Sequence, residues 1–270
     1  MEALEGRTYG PVTLRLSADR VAEFVAVTRD NPDRWTEHAP PGWAAACLFA
    51  VAPRLLTEPE LAGRGVIHGE QRFTWNSPFR LEQELAVVGT VTRVRNRGGV
   101  AFLGFDLAVT GGRESFLSGS STFLVSGDSP AAGETTEEAE PLPEASGVND
   151  PLPSQGQLLN VRRSASRADL VRYAAASRDW NPIHWDHQAA RDAGLPGVVV
   201  HGLLQAAWLM SGAANLEGGP APLAEASFRF RAPLRPLVTC EMTGAVDTTA
   251  VNSRLRAGDS ELVSARLTLR

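Results

Sequence analysis

An internal duplication is the feature that most constrains the fold of this 270-residue chain. Residues 72–91 (RFTWNSPFRLEQELAVVGTV) align without gaps on residues 227–246 (SFRFRAPLRPLVTCEMTGAV). Similar residues stand at matching positions in the pairs Phe73 and Phe228, Trp75 and Phe230, Pro78 and Pro233, Arg80 and Arg235, Gly89 and Gly244, and Val91 and Val246. Upstream, EFVAVTRDNPDRW resembles RYAAASRDWNPIHW. The order and spacing favour two similar halves over a chance likeness between two strand pairs.

A change of composition separates the two halves. Residues 126–156 are rich in Pro, Gly, Ser and Glu and hold almost no large apolar side chains. Such a segment cannot bury enough apolar surface to offset the entropy of ordering. The sequence therefore predicts an N-terminal domain over residues 1–125, a disordered or extended linker over 126–157 and a C-terminal domain over 158–270.

Each half shows the same order of helical and strand patterns. The segments SADRVAEFVAVT and SRADLVRYAAAS begin with serine before an acidic first turn, which is typical of a helix start. GWAAACLFAVAPRLL and HGLLQAAWLMSGAAN are apolar almost all round and predict helices that are buried on most sides. The segments that follow alternate in polarity between glycine-rich turns, as antiparallel strands do. This pattern predicts an α+β fold in which a sheet wraps around a buried helix.

Composition restricts the kinds of partner and the cellular location that we expect. With 43% hydrophobic residues the chain can bury a core, and its net charge of -5 argues against nucleic acid as the main partner. Cys47 and Cys240 lie in apolar stretches and are interpreted as small buried side chains. The first residues, MEALEGRTYG, do not show a basic region followed by an apolar one, and the sequence has no apolar run of membrane-spanning length. We therefore expect no secretion signal, no membrane partner and a cytoplasmic location.

The segment SRDWNPIH carries the strongest chemical signal. Pro182 favours the first position of a helix and Asn181 is a good cap before it, which places His184 in the first turn of a short helix. Asp179 lies in the loop that leads in, so one turn can direct both side chains into one cleft. Further on, VVVHG places Gly202 at the start of a buried helix, where free N–H groups and positive dipole density can hold an oxygen that gains negative charge.

SRDWNPIH and GVVVHGLL together resemble the MaoC-like or (R)-specific enoyl-CoA hydratase group of the hot-dog superfamily. The resemblance covers about residues 160–270 and implies a double hot-dog, in which two antiparallel sheets each wrap a central helix and pack as a pseudo-dimer. It implies that Asp179 and His184 are the catalytic pair, that Asn181 steadies them and that the Gly202 N–H is an oxyanion donor. The implied reaction is reversible hydration of 2-enoyl thioesters to (R)-3-hydroxyacyl thioesters carried on coenzyme A or acyl carrier protein, without a cofactor.

The N-terminal half lacks the residues that match this catalytic pair. In TRDNPDRW the residue after the aspartate is missing, and Asp33 or Arg34 stands where the histidine should be. Proline replaces the residue that matches His201, and Asp30 is interpreted as a remnant. We expect a degenerate copy that supplies sheet pairing and, as in two-domain members of the family, a wall for a long acyl tail.

Several further residues are weaker candidates. His201 is predicted to pack or hydrogen-bond beside the oxyanion turn, and His68 to be structural or exposed. His184 and His187 have no visible third ligand, so no metal site is predicted. Three arginines are candidates for the phosphates of coenzyme A or of a phosphopantetheine carrier, with a solvated strand face as an equal alternative: Arg229, Arg231 and Arg235. Two aromatic residues are candidates for the acyl tunnel, although core packing is the favoured interpretation: Phe73 and Trp75.

Two other functions fit parts of this pattern. A hot-dog thioesterase would hydrolyse the thioester, although such enzymes usually carry a carboxylate on or near the central helix and HGLLQAAWLM has none. A non-catalytic subunit that binds acyl chains or another hot-dog protein would suit the degenerate first half. A homodimer is possible, although internal pairing can already satisfy the sheet edges.

Overall fold

The computed structural model describes residues 1–126, 147–152 and 160–270. Residues 127–146 and 153–157 of the predicted linker lie outside these ranges, so the linker and the domain boundaries stay predictions. Among the described residues, no helix has both the length and the apolar character needed to cross a bilayer.

The N-terminal half begins with a strand and a helix, continues with two short buried helices and ends with four strands. Its elements are β1 (Thr8–Arg15), α1 (Ala18–Thr28), α2 (Ala44–Leu48), α3 (Ala52–Leu56), β2 (Val66–Trp75), β3 (Glu84–Arg97), β4 (Val100–Gly111) and β5 (Glu114–Ser126). Short 3-10 helices cover Glu2–Leu4, Pro32–Arg34, Pro41–Trp43 and Pro59–Leu61.

The C-terminal half repeats that order with one continuous central helix. Its elements are β6 (Asn160–Arg163), α4 (Arg167–Ser177), a 3-10 helix (Pro182–His184), α5 (His187–Asp192), α6 (Gly202–Ala214), β7 (Leu223–Phe230), β8 (Cys240–Asp247), β9 (Ala250–Ala257) and β10 (Ser260–Leu269). Every residue of α6 from Leu203 to Ala214 is buried, and the helix lies against β7, β8, β9 and β10. The sheet therefore wraps around it, as the all-round apolar pattern predicts.

All ten strands form one antiparallel sheet in the order β1-β3-β4-β5-β2-β7-β10-β9-β8-β6. Read inward from its two ends, the sheet shows the same strand order in each half. β2 and β7 meet at the centre, where Arg72 pairs with Ser227. The sequence alignment matches these same two residues, so the pseudo-two-fold axis passes through this pair. The predicted double hot-dog is confirmed.

The central helix of the N-terminal half differs from the prediction. The sequence predicts one buried helix over residues 42–56, whereas the structure has α2 and α3 with a break at residues 49–51. Pro53 explains the break, because it has no N–H to donate to the carbonyl of Phe49 and its ring would clash with that carbonyl in a continuous helix. The break leaves the side chain of Phe49 on the wall of a cavity.

Candidate active site

The end of α4 fixes the loop that carries the predicted acid. Ser166 and Asp169 form a capping box at the start of α4, and the helix ends at Arg178, which has left-handed backbone angles (φ 68°). The backbone N–H of Asp179 then donates to Oγ of Ser177 over 3.2 Å. These contacts turn the chain sharply and place the Asp179 side chain in the interior, where it is 5% exposed.

A capped 3-10 helix positions the histidine. Asn181 accepts a hydrogen bond from the backbone N–H of Ile183, and its own backbone N–H donates to Oδ1 of Asp179 over 3.4 Å. Asn181 thus links the acid to the turn that carries His184, as expected for a residue that steadies the pair. Nε2 of His184 lies 3.9 Å from Oδ2 of Asp179, and both side chains are buried.

The other ring nitrogen of His184 defines its tautomer. Nδ1 lies 2.8 Å from the backbone carbonyl oxygen of Val199. Because a carbonyl only accepts hydrogen bonds, Nδ1 carries the proton and Nε2 directs a lone pair at Asp179. The separation of 3.9 Å is too long for a direct hydrogen bond, but one water molecule can bond to both groups.

Burial sets the protonation of the pair. It raises the pKa of Asp179 to about 7, while the backbone N–H of Asn181 opposes that rise. Burial also lowers the pKa of His184 to about 4. At neutral pH the imidazole is therefore a free base, and a large fraction of the Asp179 carboxyl groups hold a proton.

His201 contacts both residues of the pair, His184 and Asp179. Its ring stacks on His184 with centroids 3.7 Å apart, and its Nε2 lies 3.2 Å from the backbone oxygen of Asp179. Burial, and then the charge of His184, hold the pKa of His201 well below its ordinary value. The residue occupies the N-cap position of α6 without a side-chain capping hydrogen bond, beside the predicted oxyanion turn, where the sequence predicts a packing or hydrogen-bonding role.

Gly202 is the first residue of α6, so its backbone N–H has no partner within the helix. A Cβ added at this position would lie 3.2 Å from ring atoms of Phe230. The absence of a side chain therefore keeps the approach to this N–H open.

Asp179, His184 and Gly202 line one cavity of about 230 Å³. The N-terminal half supplies much of its wall, through Phe49, Leu56, Val66, Ile67, His68 and Phe123. A neighbouring cavity of about 550 Å³ shares Asp179 and Asn181 with it and is also lined by Arg64, Arg178 and Trp180. The acid and the base thus face a chamber formed by both halves.

The corresponding place in the N-terminal half has a cavity lined by Asp30 and Arg34 but no acid–histidine pair among the described residues. Arg34, at the position expected for histidine, donates to the backbone oxygen of Ala214, the last residue of α6, and to that of Gly219 over 3.2 Å. A cation at the negative end of the helix dipole stabilises the helix. Asp30 remains, with its pKa raised by burial, but it has no histidine beside it. This arrangement agrees with a degenerate copy that now supports the other half.

The structure places the three candidate arginines in different surroundings. Arg231 lines the cavity and pairs with Glu261 over 2.6 Å, whereas Arg229 pairs with Glu70 on the exposed sheet face. Arg235 lies near Gly197 rather than at the cavity wall.

Phe73 and Trp75 pack in the core, the interpretation that the sequence favours over an acyl tunnel. They are buried, their ring centroids lie 5.8 Å apart and neither lines the cavity. The reason is the alternation of β2, which turns these two side chains into the core. His68, interpreted from sequence as structural or exposed, instead lines the cavity together with Gln205. No short motif marks either residue, because each reaches the site through tertiary packing.

Among the described residues, three side chains form the one group with potential metal-ligand geometry. Asp179, His184 and His201 each offer a ligand atom, and these atoms lie within 4.8 Å of one another. From sequence, His187 is the histidine considered as the partner of His184, whereas in the structure the second histidine of the group is His201. One nitrogen of His184 and one of His201 face backbone carbonyls, and the other nitrogen of each ring has no hydrogen-bond partner among the described residues.

The fold and this site define a class: a double hot-dog protein with one buried acid–base pair beside the amino end of a central helix. The family described as "MaoC like domain" matches residues 149–261. The C-terminal half of the chain therefore carries a MaoC-like domain.

Individual relatives agree with this assignment. The chain is 26% identical over 235 residues to 3-hydroxyacyl-thioester dehydratase X of Mycobacterium tuberculosis, covering 86% of this chain and 78% of that protein. A stretch of 49 residues is 45% identical to the mitochondrial 3-hydroxyacyl-(acyl-carrier-protein) dehydratase of Arabidopsis thaliana, and it spans 18% of this chain but only 30% of that protein. The crystal structure of HtdX of Mycobacterium tuberculosis is similar in fold, with a TM-score of 0.72 and 24% identity over 97% of this chain and 99% of that one.

Proposed function

We propose that this protein reversibly hydrates 2-enoyl thioesters to (R)-3-hydroxyacyl thioesters. The observation that carries the proposal is the 3.9 Å separation of Asp179 Oδ2 from His184 Nε2, on the wall of a cavity that also exposes the start of α6 at Gly202. The names of the two dehydratase relatives support an acyl thioester as substrate.

The protonation states assign a role to each group. A water molecule between the pair bonds its oxygen to C3 of the substrate and gives a proton to Nε2 of His184. The electrons of the double bond move to the thioester oxygen, which accepts a hydrogen bond from the Gly202 N–H. C2 then takes the proton held by Asp179. Return of a proton from His184 to Asp179 restores the starting state, and dehydration runs the same steps in reverse.

This assignment predicts a bell-shaped pH dependence. The active form holds one proton, on Asp179, with His184 neutral. We expect kcat/KM for hydration to fall below about pH 4, where His184 is protonated and cannot act as a base. It should also fall above about pH 7, where Asp179 is ionised and cannot act as an acid. Initial rates across this range measure both limbs, and full activity after return to about pH 6 excludes unfolding. A rate that keeps rising beyond about pH 8 would contradict the roles of Asp179 as acid and His184 as base.

Turnover of crotonyl-CoA tests the proposed function directly. We expect loss of the ultraviolet absorbance of the conjugated thioester, formation of the (R)-3-hydroxy product on chiral analysis and no free thiol. Release of free thiol would instead indicate a thioesterase. Absence of turnover over a panel of chain lengths on both coenzyme A and acyl carrier protein would indicate a non-catalytic acyl-binding subunit.

A further inference from the structure

A buried acceptor on the central helix has no partner within the protein. Gln205 is 3% exposed, and its Nε2 donates to the backbone oxygen of Val200 over 3.3 Å. Because that oxygen can only accept, the orientation of the amide is fixed, and Oε1 points the other way. Among the described residues, Oε1 has no hydrogen-bond partner.

A second unpaired polar atom comes from the other half. His68 on β2 lies between two aromatic rings, with centroid distances of 4.9 Å to Phe123 and 5.1 Å to Phe230. Its Nε2 is buried and has no partner among the described residues. Burial lowers the pKa of His68 to about 4, so the ring is neutral at pH 7 and can donate or accept.

Both residues line the cavity that contains the catalytic pair. The other polar side chains of that wall have interactions within the protein. Asp179 lies beside His184, and Asn181 caps the 3-10 helix. Arg231 forms an ion pair with Glu261. Much of the remaining wall is apolar, with Phe49, Leu56, Val66, Leu195, Leu203 and Phe230. A buried polar atom without a partner is unfavourable in such surroundings, which suggests that a ligand supplies the partner.

The position of the two atoms indicates which part of a ligand they meet. Gly202 and Gln205 lie three residues apart and so share one face of α6. If the thioester oxygen is held at the start of the helix, Gln205 lies one turn further into the buried interior, on the acyl side. His68 contacts the ring of Phe230, which also lies close to Gly202. Neither residue is therefore placed to meet the carrier.

We infer that the acyl group of the substrate carries a hydroxyl or similar hydrogen-bonding group beyond C3, bound by Gln205 Oε1 and His68 Nε2. A hydroxyl can donate to the amide oxygen and accept from the imidazole. This inference rests on the proposed hydratase function and names its substrate class: polar, rather than plain, 2-enoyl thioesters.

The test compares substrates that differ only in this group. The kcat/KM for hydration of hex-2-enoyl-CoA is measured beside those of its 4-, 5- and 6-hydroxy derivatives. We expect a preference of about 10- to 100-fold for at least one hydroxylated substrate, because a site that bonds a hydroxyl discriminates against the analogue without it. Gln205→Met and His68→Phe keep a similar side-chain size and remove the two amide polar atoms and the two ring nitrogens, respectively. Each should lower that preference by about tenfold.

The outcomes separate this inference from the proposed function. Equal kcat/KM for plain and hydroxylated substrates overturns the inference and leaves the hydratase function standing, with water on the two atoms. A preference that neither variant reduces also overturns it. Absence of hydration with every substrate overturns the proposed function and the inference with it. Circular dichroism of both variants checks the fold, and two independent variants keep the test decisive if one of them fails to fold.

Discussion

Asp179→Asn is expected to lower kcat/KM for hydration of crotonyl-CoA by a factor of about 10²–10⁴, the usual contribution of a positioned acid or base. The asparagine keeps the shape of the side chain and can still accept from the backbone N–H of Asn181. It cannot hold and release the proton that C2 requires. Initial rates at about pH 6, where the wild-type pair holds one proton, measure the loss.

The same substitution is expected to stabilise the protein at alkaline pH. The pKa of Asp179 is about 7 in the folded protein and near its ordinary value in the unfolded chain. Between these values the folded protein binds more protons, so stability falls as pH rises. Asparagine does not titrate. The free energy of unfolding of the variant should therefore exceed that of the wild type by roughly 2–4 kcal/mol above pH 7, and by about zero near pH 4.

Asp186→Asn is the matched control. Asp186 lies in the same segment, and its side chain caps α5 by accepting from the backbone N–H groups of Gln188 and Ala189. Asparagine is an equally good cap, so the hydration rate should stay at the wild-type value. Denaturant unfolding at about pH 4, 6 and 8 provides the comparison. A wild-type rate for Asp179→Asn, or a stability gap that does not grow with pH, would refute the role of Asp179 as a buried proton donor.

Much of this fold could be predicted because the duplication is still visible as similar strand sequences in the two halves. The alignment matches Arg72 with Ser227, and the structure shows that these two residues pair across the centre of the sheet. The sequence could also locate three site residues, because one short turn brings together Asp179, Asn181 and His184. The conformation of such a turn depends mainly on its own residues.

What the sequence could not predict depends on contacts between the halves. His68 and Gln205 come from different halves and meet the same cavity only after β2 pairs with β7. The all-round apolar pattern over residues 42–56 also concealed the break that Pro53 causes. Periodicity describes one element at a time, whereas a cavity wall is shared among several.

Gly202→Pro is expected to lower kcat for hydration by about 10²–10³-fold, the usual cost of losing one oxyanion donor. Proline removes the backbone N–H and is well tolerated at the first position of a helix, where that N–H has no helical partner. His201 before it has φ -51° and ψ 130°, backbone angles that suit a residue preceding proline. The substitution should therefore remove the donor and leave α6 in place.

Gly202→Ala controls for the added side chain. Both variants place a Cβ near the ring of Phe230, where an atom at 3.2 Å requires a small shift, but only alanine retains the N–H. The ratio of kcat between the alanine and proline variants therefore isolates the contribution of the donor, and thermal unfolding of both checks that α6 is intact. Equal kcat values in the two variants would show that the start of α6 does not bind the thioester oxygen, and a different group would have to stabilise the enolate.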